Sequence, residues 1–397
     1  MKTNLQQKSM ITTILVFLII INNMVYAQQW LGATGVTGSV NSFTSEGLQL
    51  YAGGVSVAVS QDGGVNWKDY LSSQGNVSSM TTCGTSVFAV SSSVGVYISN
   101  DSSKTWSPVN SGLTNTSVYC LATLGNNIFA GTLGGGVFIS GNLGAAWNSS
   151  SNGITNQNIY SMFVFGSDIY VGTTGGGIFR STDNGGNWFS CNSGLINLHV
   201  IAIGGAGSNL FVGTKGAGVF TSTDNGGNWT QVNNGLTNLG VTSFTSKGND
   251  IYLGTAGAGV FKSTDMGANW IDVNFNLSAS LPYSVYRLFT YGNNILMGGG
   301  LSSVWYLDLT TSLYQENKNY NLCVYPTLVQ KEFTIENPNP ETKQNLFVYN
   351  EIGQCVFSSI IFDKQKENIN CSNLPKGVYF VKLISDKTNF VAKIIKQ

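Results

Sequence analysis

An eight-residue phrase recurs six times in this chain at nearly fixed spacing, and that spacing limits the fold more than any other feature. Residues 181–188 and 222–229 both read STDNGGNW. Residues 263–270 read STDMGANW and 60–67 read SQDGGVNW. Two copies are worn: 99–106 carries Ser103 where glycine stands elsewhere, and 140–147 carries Asn142 in place of the aspartate. The tryptophans that end the phrase fall at 67, 106, 147, 188, 229 and 270, a step of 39 followed by four steps of 41. A period of about 40 residues implies stacked supersecondary units, either propeller blades or solenoid repeats.

Each period reads the same way. In residues 241–273, VTSFTS, IYLGT, VFKS and NWIDV form four short runs rich in β-branched and aromatic residues. KGND, AGAG and the phrase itself separate them as turns. Runs of this length between Gly/Asn/Asp clusters are strands. No stretch of this region keeps a helical period. Four antiparallel strands per period of about 40 residues make one propeller blade. First strands start at Val40, Val77, Val118, Ile159, Val200, Val241 and Val285, which counts seven blades. The seventh has three runs and no aspartate phrase. Trp30 stands before the 40–45 run VNSFTS as Trp229 stands before the 241–246 run VTSFTS, so Trp30 is the expected blade-closing tryptophan. The alternative outer strand is 312–316. Closing the ring with the N-terminus leaves no free sheet edge. The expected fold class is therefore all-β: a seven-bladed β-propeller over residues 28–317, followed by a small C-terminal β-sandwich over 318–397.

The phrase resembles the Asp-box, S-x-D-x-G-x-x-W, also called the BNR repeat. It occurs in sialidases, xyloglucan-degrading glycosidases, sortilin-type receptors and photosystem II assembly-factor-like propellers. These families share the box but not an activity. Its chemistry is structural. An aspartate opening a tight turn accepts backbone N–H bonds, and glycine supplies positive φ. The tryptophan fills the space beside the turn. Asp62, Trp67, Asp101, Trp106, Asn142, Trp147, Asp183, Trp188, Asp224, Trp229, Asp265 and Trp270 are thus expected to be hairpin-clamp residues. In the resembling families the box lies on the turn from third to fourth strand, away from the ligand face.

The ends differ from the repeats. Residues 1–27 read as a secretory signal: Lys2 and Lys8, an apolar core at 14–21 too short to span a bilayer alone, and a Val25-Tyr26-Ala27 cleavage site. No other segment is apolar enough to cross a membrane. After residue 317 the charge changes. The propeller region holds seven Lys and Arg against twelve Asp and Glu, net −5; the tail holds ten against seven, net +3. The tail reads as strands at 333–336, 346–349, 355–361, 369–371, 378–384 and 390–395. CVYP at 323–326, LFVYNEIGQ at 346–354, LPKGVYFVKL at 374–383 and KIIKQ at 393–397 resemble the C-terminal sorting domain of type IX (Por) secretion substrates. The family's early P-N-P-x-x-G is reduced here to Pro326. The resemblance implies a partner, the outer-membrane secretion machinery of a Gram-negative bacterium, and a propeller either released or fixed to the surface.

Composition removes several functions. A propeller of this size buries a sufficient core without metal or disulfide. The six cysteines divide three and three between the regions with no C-x-x-C spacing, and are expected as buried free thiols. His199 is the single histidine, so sites built on several histidines are excluded, and no metal or cofactor is implied. An acidic, charge-poor propeller disfavours nucleic acid. Sialidases hold their substrate carboxylate with three arginines, and this chain has only Arg180 and Arg287. Glycosidases need two carboxylates on one face. Five of the twelve propeller acids belong to the repeated phrase, and Asp168 and Asp250 lie in first-to-second-strand turns. Glu46, Asp69, Asp272, Asp308 and Glu316 remain, scattered over different blade positions.

A ligand is expected on the opposite face, where second-to-third-strand turns and interblade links lie. Three residues break the repeat there. The inner-strand column reads Ser42, Ser79, Cys120, Ser161, Ala202, Ser243 and then Arg287, which puts a charge near the channel. His199 stands at the same face, and Lys215 is the single charge in the glycine turns. Together they suggest an anion- or sugar-binding spot. The expected function is an exported, non-catalytic binding module for a glycan or surface protein; the rival is a glycosidase-like enzyme acting on polysaccharide.

Overall fold

The structure, a computed structural model, describes residues 30–70, 76–91, 94–274, 277, 284–300, 304–309, 323–337, 344–350, 355–361, 365–384 and 389–397. The expected signal segment and the alternative outer strand at 312–316 lie outside them. The described residues form strands and turns with no helix, and so include none long and apolar enough to cross a membrane.

Seven four-stranded antiparallel sheets follow one another. Their first strands begin at Val40, Val77, Val118, Ile159, Val200, Val241 and Val285, as the sequence predicts. These strands touch their neighbours in turn, and Val285–Tyr291 returns to Val40–Glu46, so the inner strands close a ring. In the blade at 241–272, Val241–Lys247, Asp250–Thr255, Val260–Ser263 and Ile271–Asp272 pair in order. The fourth strand is only two residues there, shorter than the five-residue run suggests.

The seventh blade takes its outer strand from the N-terminus. Trp30–Gly32 pairs antiparallel with Val304–Asp308, Trp30 opposite Leu307 and Gly32 opposite Trp305. The Trp30 ring is fully buried, and its indole N–H donates to the Val273 carbonyl of blade six at 2.9 Å. The tryptophans of four phrases make the same bond to the blade before: Trp147 to Val109, Trp188 to Ser150, Trp229 to Cys191 and Trp270 to Val232. The tryptophan is therefore more than filler beside its own turn; it fastens one blade to the previous one. Trp67 departs from this and bonds Gly64 of its own turn.

Two further features of the sequence follow from this packing. The second strand of six blades carries a glycine, for example Gly213 or Gly254, because the first valine or isoleucine of the next blade lies where its Cβ would be. Each first strand also carries a β-bulge between its first and third residues. A bulge adds one residue and bends the strand, at the end of the inner strand where the interblade link enters.

The seam between blades one and two sits at a worn copy of the phrase. Ser103 is buried with φ +69°. Neither its hydroxyl nor the buried indole N–H of Trp106 has a partner. A small cavity lined by Val57, Val77, Ala89, Tyr97 and Trp106 sits beside them. Left-handed backbone costs a non-glycine residue about 1–2 kcal/mol, and a buried hydroxyl without a partner about 1–3 kcal/mol. Glycine gains unfolded-state freedom worth about 0.5–1 kcal/mol. Ser103→Gly should therefore stabilise the propeller by about 1 kcal/mol, read as a higher urea midpoint at unchanged slope.

The tail is two packed sheets. Cys323–Tyr325, Glu332–Glu336 and Lys366–Asn370 form one; Leu328–Val329, Asn389–Lys396, Gly377–Ile384, Gln344–Asn350 and Cys355–Ile361 form the other. Phe333, Ile335, Leu346, Val348, Val381, Leu383 and Ile394 fill the space between them. Cys323–Tyr325 and Leu328–Val329 are strands that the sequence reading missed; they are short and interrupted by Pro326. The last propeller strand ends at Asp308 and the first tail strand begins at Cys323, so the boundary expected at 317/318 lies outside the described residues. The expectation of buried thiols needs correction at Cys355, which is free and exposed. It stands at the exposed start of an edge strand whose far end, Ile361, is buried in the tail core. Cys83, Cys120 and Cys371 are free and buried, and Cys191 is free and half-buried.

Candidate functional site

The repeated phrase builds the turn from third to fourth strand in every blade that carries it. In blade five, the Ser222 hydroxyl donates to Asp224 Oδ1 and accepts the Gly226 N–H, 2.7 and 2.8 Å. Asp224 Oδ1 also accepts the Asn228 N–H at 2.9 Å, and the Asn228 amide donates to Oδ2 at 3.1 Å. Asp62, Asp101, Asp183 and Asp265 repeat these contacts. Asn142 does so with its amide oxygen, accepting from Ser140 and the Ala146 N–H. Two consecutive residues have positive φ, such as Asn225 at +56° and Gly226 at +88°. The protein hydrogen bonds of these aspartates thus go to the chain's own turn.

The same bonds fix their charge. Hydrogen bonds from the Asn228 backbone N–H, the Ser222 hydroxyl and the Asn228 amide hold the Asp224 carboxyl at about 2. The Thr105 hydroxyl and backbone N–H do this for Asp101, also at about 2. Asp183 and Asp265 are lowered by their asparagine partners. Asp62 is lowered too, despite burial that works in the other direction. A folded-state pKa below the unfolded value of about 3.9 gives stability that is full above that value and lost as pH falls towards 2. The propeller's thermal midpoint should therefore stay level from pH 7 to 5 and fall steeply between about pH 4 and 2. Asn142 contributes nothing to that fall.

The opposite face is marked, in blades three to six, by isolated bridges between the second-to-third-strand turn and the residue that enters the next blade. Thr174 pairs with His199 and Lys215 with Gly240. The structure brings His199 and Lys215 together: the Lys215 N–H donates to the His199 carbonyl at 3.0 Å. His199 is half-buried and Lys215 exposed. Partial burial and then the nearby Lys215 charge both lower the His199 pKa, so its ring is neutral near pH 7.

Arg287 stands apart from that pair. The column it belongs to is chiefly a device for joining blades. Ser42, Ser79 and Ser243 each accept an N–H from the next inner strand, those of Met80, Leu121 and Leu288. Its small residues face the seams between inner strands. Arg287 is the exception. Val40 of blade one already packs against Gly298, the residue paired with Arg287. The arginine is water-accessible, yet desolvation by surrounding protein lowers its pKa, and its electrostatic neighbour is Cys120 of blade three. Burial pushes the Cys120 thiol up to about 12, with Arg287 pulling it down.

Sequence reasoning missed the aromatic part of this face. The extra residues at the bulges read Asn41, Ser78, Tyr119, Tyr160, Ile201, Thr242 and Tyr286. Two of them reach to the next blade: Asn41 donates to Asn76 and to the Val77 carbonyl, Thr242 to the Val285 carbonyl. Tyr119 lies against Tyr160 with ring centroids 4.8 Å apart, and Tyr160 meets His199 edge-on at 6.3 Å. Burial, with Tyr119 adding to it, pushes the Tyr160 hydroxyl up to about 12. An arc of three rings crosses blades three to five and ends at Lys215. Outside it, Ile196 is 75% exposed, and Leu198 and Leu239 are also exposed. The link signal for this patch was available in the sequence: Thr114, Thr155 and Thr237 hold the position that Ile196 holds here.

The remaining acids do not converge on this face. Asp69 on an outer strand accepts from Thr37 and Ser56. Asp168 pairs with Arg180 at 2.5 Å and Asp250 with Lys262 at 2.6 Å. Glu46 ends a first strand, Asp272 lies on a fourth and Asp308 ends a third; Glu316 lies outside the described residues.

Comparison with known proteins agrees with the two-part architecture. Residues 323–397 match the secretion system C-terminal sorting domain. Residues 109–236 match the DUF6242 β-propeller domain. A search of curated proteins found no match. Among solved structures, YCF48 bound to D1 peptide superposes with a TM-score of 0.57 at 15% identity, over 72% of this chain and 99% of that one. YCF48 from Cyanidioschyzon merolae gives 0.57 at 16% identity, over 72% and 100%. The extracellular domain of a putative hybrid two-component system from B. thetaiotaomicron gives 0.60 at 14% identity, over 93% of this chain and 57% of that one. Identities this low speak to fold alone. The chain thus joins a seven-bladed β-propeller to a secretion system C-terminal sorting domain, the make-up of a protein sent by type IX export to the cell surface or beyond.

Proposed function

We propose that the propeller is a non-catalytic binding module that meets a glycan or protein partner through the face opposite the clamps. The observation that carries this is the local failure of the repeat. At the link from blade four to blade five, Ile196 replaces the threonine of the three other links, Leu198 stands where two of them carry Thr116 and Gln157, and His199 stands where they carry Ser117, Asn158 and Gly240; Ile196 and Leu198 are left exposed. Exposed apolar side chains beside aromatic rings and a cation are the composition of a recognition surface. The carboxylates argue against the glycosidase reading. Retaining and inverting enzymes place two acids about 5–10 Å apart across the scissile bond, and the described acids of the propeller are spent on clamps, ion pairs or strand ends. A YCF48 propeller solved with a peptide bound supports the capacity of this architecture to act by binding alone. The purified chain, screened against arrayed glycans and surface proteins, should give at least one hit that saturates. A screen without any saturable hit overturns the reading in favour of a scaffold.

A further inference from the structure

We infer that the outward face of the tail's five-stranded sheet is the surface gripped by the type IX machinery, and that the machinery meets it with an apolar surface bordered by carboxylates. The tail carries this role whatever the propeller binds.

Strand register places three rows of side chains across that sheet. Leu328, Ile395 and Val378 form the first. Lys393, Phe380 and Tyr349 form the second, and Lys382 and Phe347 the third. The residues that alternate with them, Tyr379, Val381, Leu383, Leu346 and Val348, fill the core, so the rows face outward. Leu328 is 54% exposed, Phe380 40% and Ile395 38%. Phe347 and Tyr349 lie side by side with ring centroids 6.0 Å apart. A sheet face turned to water is polar, and the other sheet of the tail obeys this. There the Thr334 hydroxyl donates to Asn368 at 2.7 Å, and Lys366 pairs with Glu336 at 2.9 Å and donates to the Tyr325 hydroxyl. The same domain thus carries a satisfied polar face and an apolar, aromatic one. Aromatic and aliphatic side chains grouped on one exposed face mark a protein interface.

Charge narrows what that interface meets. Among the described residues, the charged side chains of the five-stranded sheet are Lys382, Lys393 and Lys396, while the acids of the tail, Glu332, Glu336 and Glu367, lie on strands of the other sheet. Lys393 and Lys382 stand in the same rows as the rings. A partner with carboxylates around an apolar patch complements them. A second copy of this chain would bring the same patch against itself, lysines towards lysines, which is repulsive. Residues 323–397 form a secretion system C-terminal sorting domain, so the partner that this face fits is a protein of the export machinery.

The test expresses the full chain in a bacterium that exports its own sorting-tail proteins, and compares by immunoblot the share outside the cell with the share held in the periplasm. Phe347→Thr/Phe380→Thr removes both phenylalanine rings and keeps strand-forming residues at outward positions. Its export should fall about tenfold or more, as loss of aromatic anchors does at an interface, with the melting of the purified chain unchanged. Lys393→Glu should lower export several-fold. Thr334→Ala/Asn368→Ala, on the polar face, should leave it at the parent level. Parent-level export of Phe347→Thr/Phe380→Thr overturns the inference, and so does an equal loss from the polar-face variant. A parent dimer that the phenylalanine variant splits, with export intact, overturns it in favour of self-association. Should the double variant not fold, Lys393→Glu decides alone: parent-level export overturns the inference, and retention in the periplasm with unchanged melting supports it.

Discussion

Trp30→Ala is expected to open the propeller ring. The indole is fully buried and bonded to the Val273 carbonyl, so truncation removes a large buried ring and leaves that carbonyl without its donor. Burying an aromatic of this size and then deleting it costs about 3–5 kcal/mol, a large share of a typical total of about 5–15 kcal/mol. In a domain this long the thermal midpoint should drop by on the order of 10 °C. A second effect follows from topology. Trp30–Gly32 covers Val304–Asp308, and a strand stripped of its neighbour pairs with other chains. Size-exclusion chromatography should show association on warming that the parent lacks. Trp106→Phe is the contrast. Its indole N–H bonds to nothing, so that change should shift the midpoint by no more than a few degrees. Equal effects at the two positions would mean that Trp30 does not close the ring.

Gly194→Ala should be nearly as damaging, for a different reason. Gly194 has φ +87°, and an added Cβ would lie 2.1 Å from the Trp229 carbonyl oxygen of the next phrase. Gly35, Gly112, Gly153 and Gly235 meet Trp67, Trp147, Trp188 and Trp270 in the same way. This is backbone against backbone, which no side-chain rotation relieves. Left-handed strain and overpacking together cost about 2–5 kcal/mol. Gly166→Ala separates the two contributions. Its φ is +63° with nothing within 4 Å of a Cβ, so only the conformational cost of about 1 kcal/mol remains. Urea midpoints of the two variants should differ by the clash alone. Similar midpoints would remove the claim that the links are locked onto the clamps.

The blades were legible because strand and turn chemistry repeat. The start of each first strand is a valine or isoleucine after a polar link, and all seven starts can be read from the sequence. Trp30 was legible through its distance to Val40. What could not be read was side-chain direction. A bulge at the second residue of every first strand reverses the alternation of a simple strand, so Ser42 and its equivalents face the seams while Tyr119 and Tyr160 form the arc. The reach of the tryptophans was hidden for a similar reason: their partners stand 38 residues back, a pairing set by blade stacking. Arg287 was found because it breaks a column of small residues, whatever that column faces.

The account divides the propeller into a face of clamps that maintains the fold and an opposite face that meets a partner. The most direct measurement compares, for the strongest saturable hit of the binding screen, the parent chain with Ile196→Thr/Leu198→Gln and with Asp224→Asn. The channel-face change restores residues used by other links, and the clamp change keeps shape while removing charge, as Asn142 already does. The account predicts that the first weakens binding at least tenfold with the thermal midpoint unchanged, and that the second leaves affinity unaltered. Affinity lost in Asp224→Asn and retained in Ile196→Thr/Leu198→Gln would contradict it.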